Sequence, residues 1–137
     1  MLAALDAADR RSFTVAAAGP AALIVSKMHK IRERLEERAQ RRLDDKDALD
    51  VLRLLQATAT APLAATFVQL LRADVSKTVT DEALKALKEL FTNARAVGAQ
   101  MAVRSAGALA APDEIAGSCA ALASDLLAAI EGARKWK

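Results

Sequence analysis

The chain has 137 residues, 53% of them hydrophobic and 27% charged, with a formal net charge of +3. This composition excludes a disordered chain and supplies enough apolar residues for one core without metals or disulfides. One cysteine excludes an internal disulfide. A single His and a single Cys, His29 and Cys119, far apart in sequence, support neither a zinc site nor a Cys–His nucleophile pair. With 3% aromatic residues and no Tyr, base stacking is not expected as a main binding mode.

In chain order, "SFTVAAAG" (12–19) alternates at Phe13, Val15 and Ala17 and reads as one short strand or an extended linker. Gly19-Pro20 opens a first long helix, with Pro at its first position, running to about Gln40. A second helix is expected from Asp45, acting as its cap, to about Ala57. Thr60 and Pro62 open a third, to about Ala73. From Leu54 to Leu71 there are eighteen residues without a charge, long enough to span a bilayer. Pro62 and the polar Thr and Gln residues break that run, so helix–turn–helix is the better reading. Thr80-Asp81-Glu82 supplies a cap and two first-turn acids for a fourth helix. Gly98 is expected to interrupt a weaker fifth helix ending near Leu109, and Pro112-Asp113-Glu114 opens a sixth, to about Glu131. Cys119 falls in an Ala/Leu pattern and reads as a small buried hydrophobe. The tail "ARKWK", with Trp136 between two lysines, reads as a frayed basic end or as a Trp that docks into a groove or partner.

The expected fold is therefore a single all-α domain over 1–137, a bundle of five or six helices with at most one short N-terminal strand. No basic region precedes an apolar run at the start, so no signal peptide is expected, and the location expected is cytoplasmic.

The charge is concentrated in "SKMHKIRERLEERAQRRLDDKDALD", residues 26–50. Lys27 to Lys46 holds eight Lys/Arg against five Asp/Glu, and the twelve of each sign elsewhere cancel. At 100° per residue, Ile24, Met28, Ile31 and Leu35 form the core stripe of the first helix. Lys27, Lys30, Arg34 and Arg38 run along one edge of it, and Glu33, Glu36 and Glu37 fall on the far side with His29, expected to be a solvated residue. On the second helix Ala48, Val51, Leu52 and Leu55 form the apolar stripe, with Asp47 and Asp50 on its flank. In an antiparallel hairpin the basic edge and the acidic pair approach one another. Two readings follow from spacing: a boundary salt bridge from Lys27 to Asp47 or Asp50, or a Lys presented to a phosphate with an Asp orienting a hydroxyl.

"AAGPAALIVSKMHKIRERL" followed by "RRLDDKDALDVLRLL" resembles the C-terminal half of the AbiEii-like nucleotidyltransferase toxins of bacterial toxin–antitoxin systems. Ser26-Lys27 stands where that family has a helix-borne Lys. Lys46-Asp47-Ala48-Leu49-Asp50-Val51 stands where it has an "RDxxDL" motif about twenty residues on. The likeness covers roughly Phe13 to Leu55, the later helices only in general character.

The resemblance implies nucleotide transfer to an acceptor such as tRNA, with Mg²⁺. Lys27 would contact the triphosphate, with Lys30 and Arg34 as further nucleotide contacts. Asp47 and Asp50 would be the catalytic carboxylates, and Arg41 and Arg42 would contact nucleic acid. The family's Gly-rich GG/GS turn and strand-borne D-x-D, which hold the metal ions, do not appear upstream of Lys27. The chain is thus expected to be inactive alone, with no cofactor of its own, and to need Mg²⁺ and NTP once a metal-binding half is supplied. Expected partners are that N-terminal half, a cognate antitoxin, tRNA or a second copy of the chain, and no membrane. The alternative expectation is a non-catalytic helical interaction module, antitoxin-like or homodimeric.

Overall fold

A computed structural model describes residues 19–37 and 42–135. Among these residues every regular element is a helix: α1 (Pro20–Glu37), α2 (Arg42–Ala57), α3 (Thr60–Arg72), α4 (Lys77–Phe91), α5 (Val97–Ala106) and α6 (Pro112–Lys135). A single 3₁₀ turn, Gly107–Leu109, follows α5. The expected strand near Phe13 and the tail Trp136 lie outside the described residues.

Pro20 starts α1 as its spacing predicts. Its missing N–H belongs to a helix end that has no partner for it, and Gly19 ahead of it takes φ of 57°, a conformation open to glycine without steric cost. The apolar residues of α1 recur with helical period, so Ala21, Ile24, Met28 and Ile31 are buried. Leu35, at the far end of that stripe, is half-buried and packs on the edge of the core. On α2, Ala48, Val51, Leu52 and Leu55 are buried together with Leu49.

The helices share one core, with Phe67, Phe91, Ile24, Met28, Leu87, Met101 and Leu126 among its largest fully buried side chains. Helix α2 packs most extensively on α5, and α3 on α6, while α1 lies against α2 and α4. The uncharged run between Leu54 and Leu71 is broken as Pro62 and its polar residues require, with α2 and α3 bent by 116° at the break. Helix α6 is, by length and composition, apolar enough to cross a membrane. Its inner side, Ala116, Cys119, Ala123, Leu126 and Ile130, is core.

Four local expectations are corrected. Asp45 does not cap α2, which begins three residues earlier at Arg42 and leaves Asp45 free to pair elsewhere. Thr80 does not cap α4. Hydrogen bonds from the Ser76 and Lys77 N–H groups to the Ala73 carbonyl (3.1 and 2.8 Å) stitch the preceding turn, so the helix starts at Lys77. Thr80 then sits one turn inside, 1% exposed, its hydroxyl without a hydrogen-bond partner among the described residues. Gly98 does not interrupt α5; it is the second residue of that helix. A Cβ there would lie 2.6 Å from the Leu90 carbonyl oxygen and 2.8 Å from the Phe91 ring, so only glycine lets α5 close on the end of α4. Finally, α6 runs past Glu131 to Lys135.

Candidate functional site

The α1–α2 hairpin brings together the charged residues that spacing placed on facing edges. The Lys27 ammonium donates to Asp47 Oδ1 at 3.0 Å and to Asp50 Oδ2 at 2.9 Å. The geometry follows from the two periods. Lys27 sits one position before Met28 on α1, and Asp47 and Asp50 sit one position before Ala48 and Val51 on α2, so all three ride the shoulder of the same buried seam. Their side chains are about a quarter exposed, at 24%, 19% and 27%. That places the cluster between a surface pair, worth ~0–1 kcal/mol, and a buried pair whose desolvation opposes its attraction.

The hydrogen bond that Lys27 donates to Asp50 is the largest influence holding its pKa above its ordinary value. Partial burial opposes it, and the Asp47 hydrogen bond and both carboxylate charges reinforce it. The ammonium is therefore a fixed positive charge at any physiological pH, and with two carboxylates the cluster carries a formal net charge of −1.

Of the remaining expected contacts, Lys30 is exposed and Arg34 is half-buried and engaged by neighbouring groups. Arg41 and the side chain of Arg42 lie outside the described residues. His29, expected to be solvated, is half-buried. Its Nε2 is 2.9 Å from the Val79 carbonyl oxygen, as a donor, and ties α1 to the start of α4. The acidic side of α1 does accompany it. Glu33 and Glu36 line the same cleft of about 380 Å³ between α1 and α4, with Arg32 and Glu82.

Two ion pairs join residues too distant for any local pattern to reveal. Arg104 on α5 makes a bidentate contact to Asp45, Nε to Oδ2 and Nη2 to Oδ1 at 3.1 Å each, and Arg32 reaches Glu89 at 3.1 Å. Their one sequence signal is negative: Asp45 is a helix-start acid displaced from the cap. Cys119 is buried as expected, and desolvation pushes its thiol pKa up to about 11, which leaves it an unreactive core residue. Among the described residues no three His, Cys, Asp or Glu side chains are grouped to hold a metal ion.

The Lys27 cluster holds an ammonium and two carboxylates within hydrogen-bond distance at a partly exposed helix seam. Comparison with protein-family models, curated proteins and solved structures finds no match to this chain.

Proposed function

We propose that the chain is the helical, substrate-side half of a nucleotidyl-transfer site of the AbiEii-like type. The observation that carries this reading is the convergence of Lys27, Asp47 and Asp50, residues twenty and twenty-three positions apart, into one part-exposed cluster. These are the three residues on which the sequence resemblance rests.

Lys27 would turn from its carboxylates to the triphosphate, and Asp47 or Asp50 would accept the hydrogen bond of the acceptor hydroxyl. Nucleotidyl transfer asks little more of a protein than positioning and charge neutralisation. Because the cluster's formal charge is −1, the nucleotide would approach as its Mg²⁺ complex. The carboxylates that grip that metal would come from a separate strand-bearing half.

Two experiments test the reading. The purified chain with Mg²⁺, labelled NTPs and tRNA should transfer no label, and transfer by the chain alone would overturn the half-site assignment. The coding sequence upstream of the Met1 codon should continue in frame into a GG/GS turn and a strand with D-x-D. A stop codon and an unrelated frame there would count against it.

A second reading, a non-catalytic interaction module, is favoured by a different aspect of the same cluster. Lys27 is fully engaged by two carboxylates without any ligand, as a register lock for the hairpin would be.

A further inference from the structure

Helix α4 begins where its sequence is least suited to begin. Its first residue is Lys77, a positive charge at the end of the helix dipole that favours acids, and its first turn holds no acid. Thr78, Val79 and Thr80 follow, three β-branched residues in a row, each of lowered helix propensity. Ser76, at the cap position, makes no capping hydrogen bond, because its hydroxyl donates to the Leu70 carbonyl at 2.7 Å. Packing does little to offset this. Lys77, Thr78 and Val79 are all exposed among the described residues, Val79 at 44%. Hydrogen bonds hold the turn instead: the Thr80 N–H donates to the Ser76 carbonyl at 2.9 Å, and the His29 ring donates to the Val79 carbonyl at 2.9 Å.

A start one turn later suits the same residues better. With Thr80 as the cap, its buried and unpartnered hydroxyl accepts from the Glu82 or Ala83 N–H. Asp81 and Glu82 become the first two helical residues, where the dipole favours them. Lys77, Thr78 and Val79 leave the helix, and no buried side chain leaves with them. The Val79 carbonyl moves with the turn and releases His29. That ring lines the cleft of about 380 Å³ between α1 and α4 together with Glu82 and Ala83, so the turn decides whether the imidazole is free in the cleft.

We propose that Lys77–Val79 is a two-state latch, helical and held by His29 in one state, unwound to a Thr80-capped helix in the other. Cap, dipole and β-branched residues favour the late start. The backbone hydrogen bonds of the turn and the His29 tie favour the early one, and such opposed local preferences leave a small gap between states. The latch uses no residue of the Lys27 cluster and stands apart from the nucleotidyl-transfer reading.

Amide hydrogen exchange of the 137-residue chain, followed by NMR, reads the latch directly. In the wild type the Asp81 amide should exchange at least about tenfold faster than those of Leu84 and Leu87, because a Thr80 cap keeps the Leu84 bond and breaks that of Asp81. This comparison needs no variant and stands even if a substitution unfolds the chain. Thr80→Val keeps the β-branch and removes the cap acceptor, so it should raise the Asp81 protection factor at least about fivefold. Thr80→Ser, which keeps a hydroxyl, should not raise it. His29→Phe keeps a ring without a donor and should lower it about two- to tenfold. An Asp81 amide protected as strongly as Leu87 in the wild type overturns the proposal. So does an Asp81 protection factor that Thr80→Val leaves unchanged or lowers.

Discussion

The α1–α2 hairpin and helix α6 treat charge in opposite ways. In the hairpin, basic and acidic residues meet within one chain, on the shoulder of a buried seam, and Lys27 finds both of its partners there. In α6 the exposed Asp113, Glu114, Asp125, Glu131 and Lys135 find no ion-pair partner among the described residues. The lesson is that charge placement has to be read against burial. Beside a buried seam it organises the chain internally, whereas on an unshared face it is available to something else.

The difference can be sharpened by substitution, starting with the inner side of α6. Leu126 is 1% exposed, and Leu126→Ala should cost about 2–5 kcal/mol in urea unfolding, through lost burial and a residual cavity. A small loss would mean that α6 is not a core helix and would dissolve the contrast between its two sides.

In the hairpin, Lys27→Met should cost about 1–2 kcal/mol at neutral pH, since it removes charged hydrogen bonds and leaves two carboxylates side by side. The sign with pH follows from the direction of the shift. The Lys27 pKa is raised by folding, so its contribution is complete below the ordinary value of 10.5 and is lost as pH climbs above it, through the higher folded value. The gap between wild type and Lys27→Met should therefore narrow at strongly alkaline pH, as measured by thermal melting. A gap unchanged far above the ordinary lysine value would count against the ion pair.

Thr80→Val should move stability the other way, by about +1 kcal/mol, because it replaces a buried hydroxyl that has no partner with a methyl of similar size. Loss of stability would show that the hydroxyl is satisfied in solution. The smallest effect is expected at the outer edge of α2. There Arg104 is half-exposed, and Arg104→Ala should change unfolding free energy by less than about 1 kcal/mol.

Much of this was legible in the sequence because it follows from short-range period. The stripe Ile24, Met28, Ile31 and the flank pair Asp47 and Asp50 are set by helical spacing, and two such helices joined by a short connection meet along one seam. The helix starts at Pro20, Thr60 and Pro112 were equally local, each marked by its own residue chemistry. What escaped was decided by contacts across the bundle. Thr80 looks like a cap until the Ala73 carbonyl claims the preceding turn, and Gly98 looks like a breaker until the Phe91 ring is packed against it. His29 lay on the expected face, but the Val79 carbonyl that binds it is fifty residues away. Arg104 and Asp45 are fifty-nine apart, with no period to connect them.

The claim that matters most is that the Lys27 cluster faces a ligand and does more than lock the hairpin. Titrating Mg²⁺–NTP into wild type and Lys27→Met, with melting recorded on the same samples, tests it directly. Wild type should bind with Kd of about 1 mM or tighter, and Lys27→Met, still folded, should bind at least about tenfold more weakly. Absence of binding in wild type, or equal binding in the two proteins, would contradict the account and leave Lys27 as a structural ion pair.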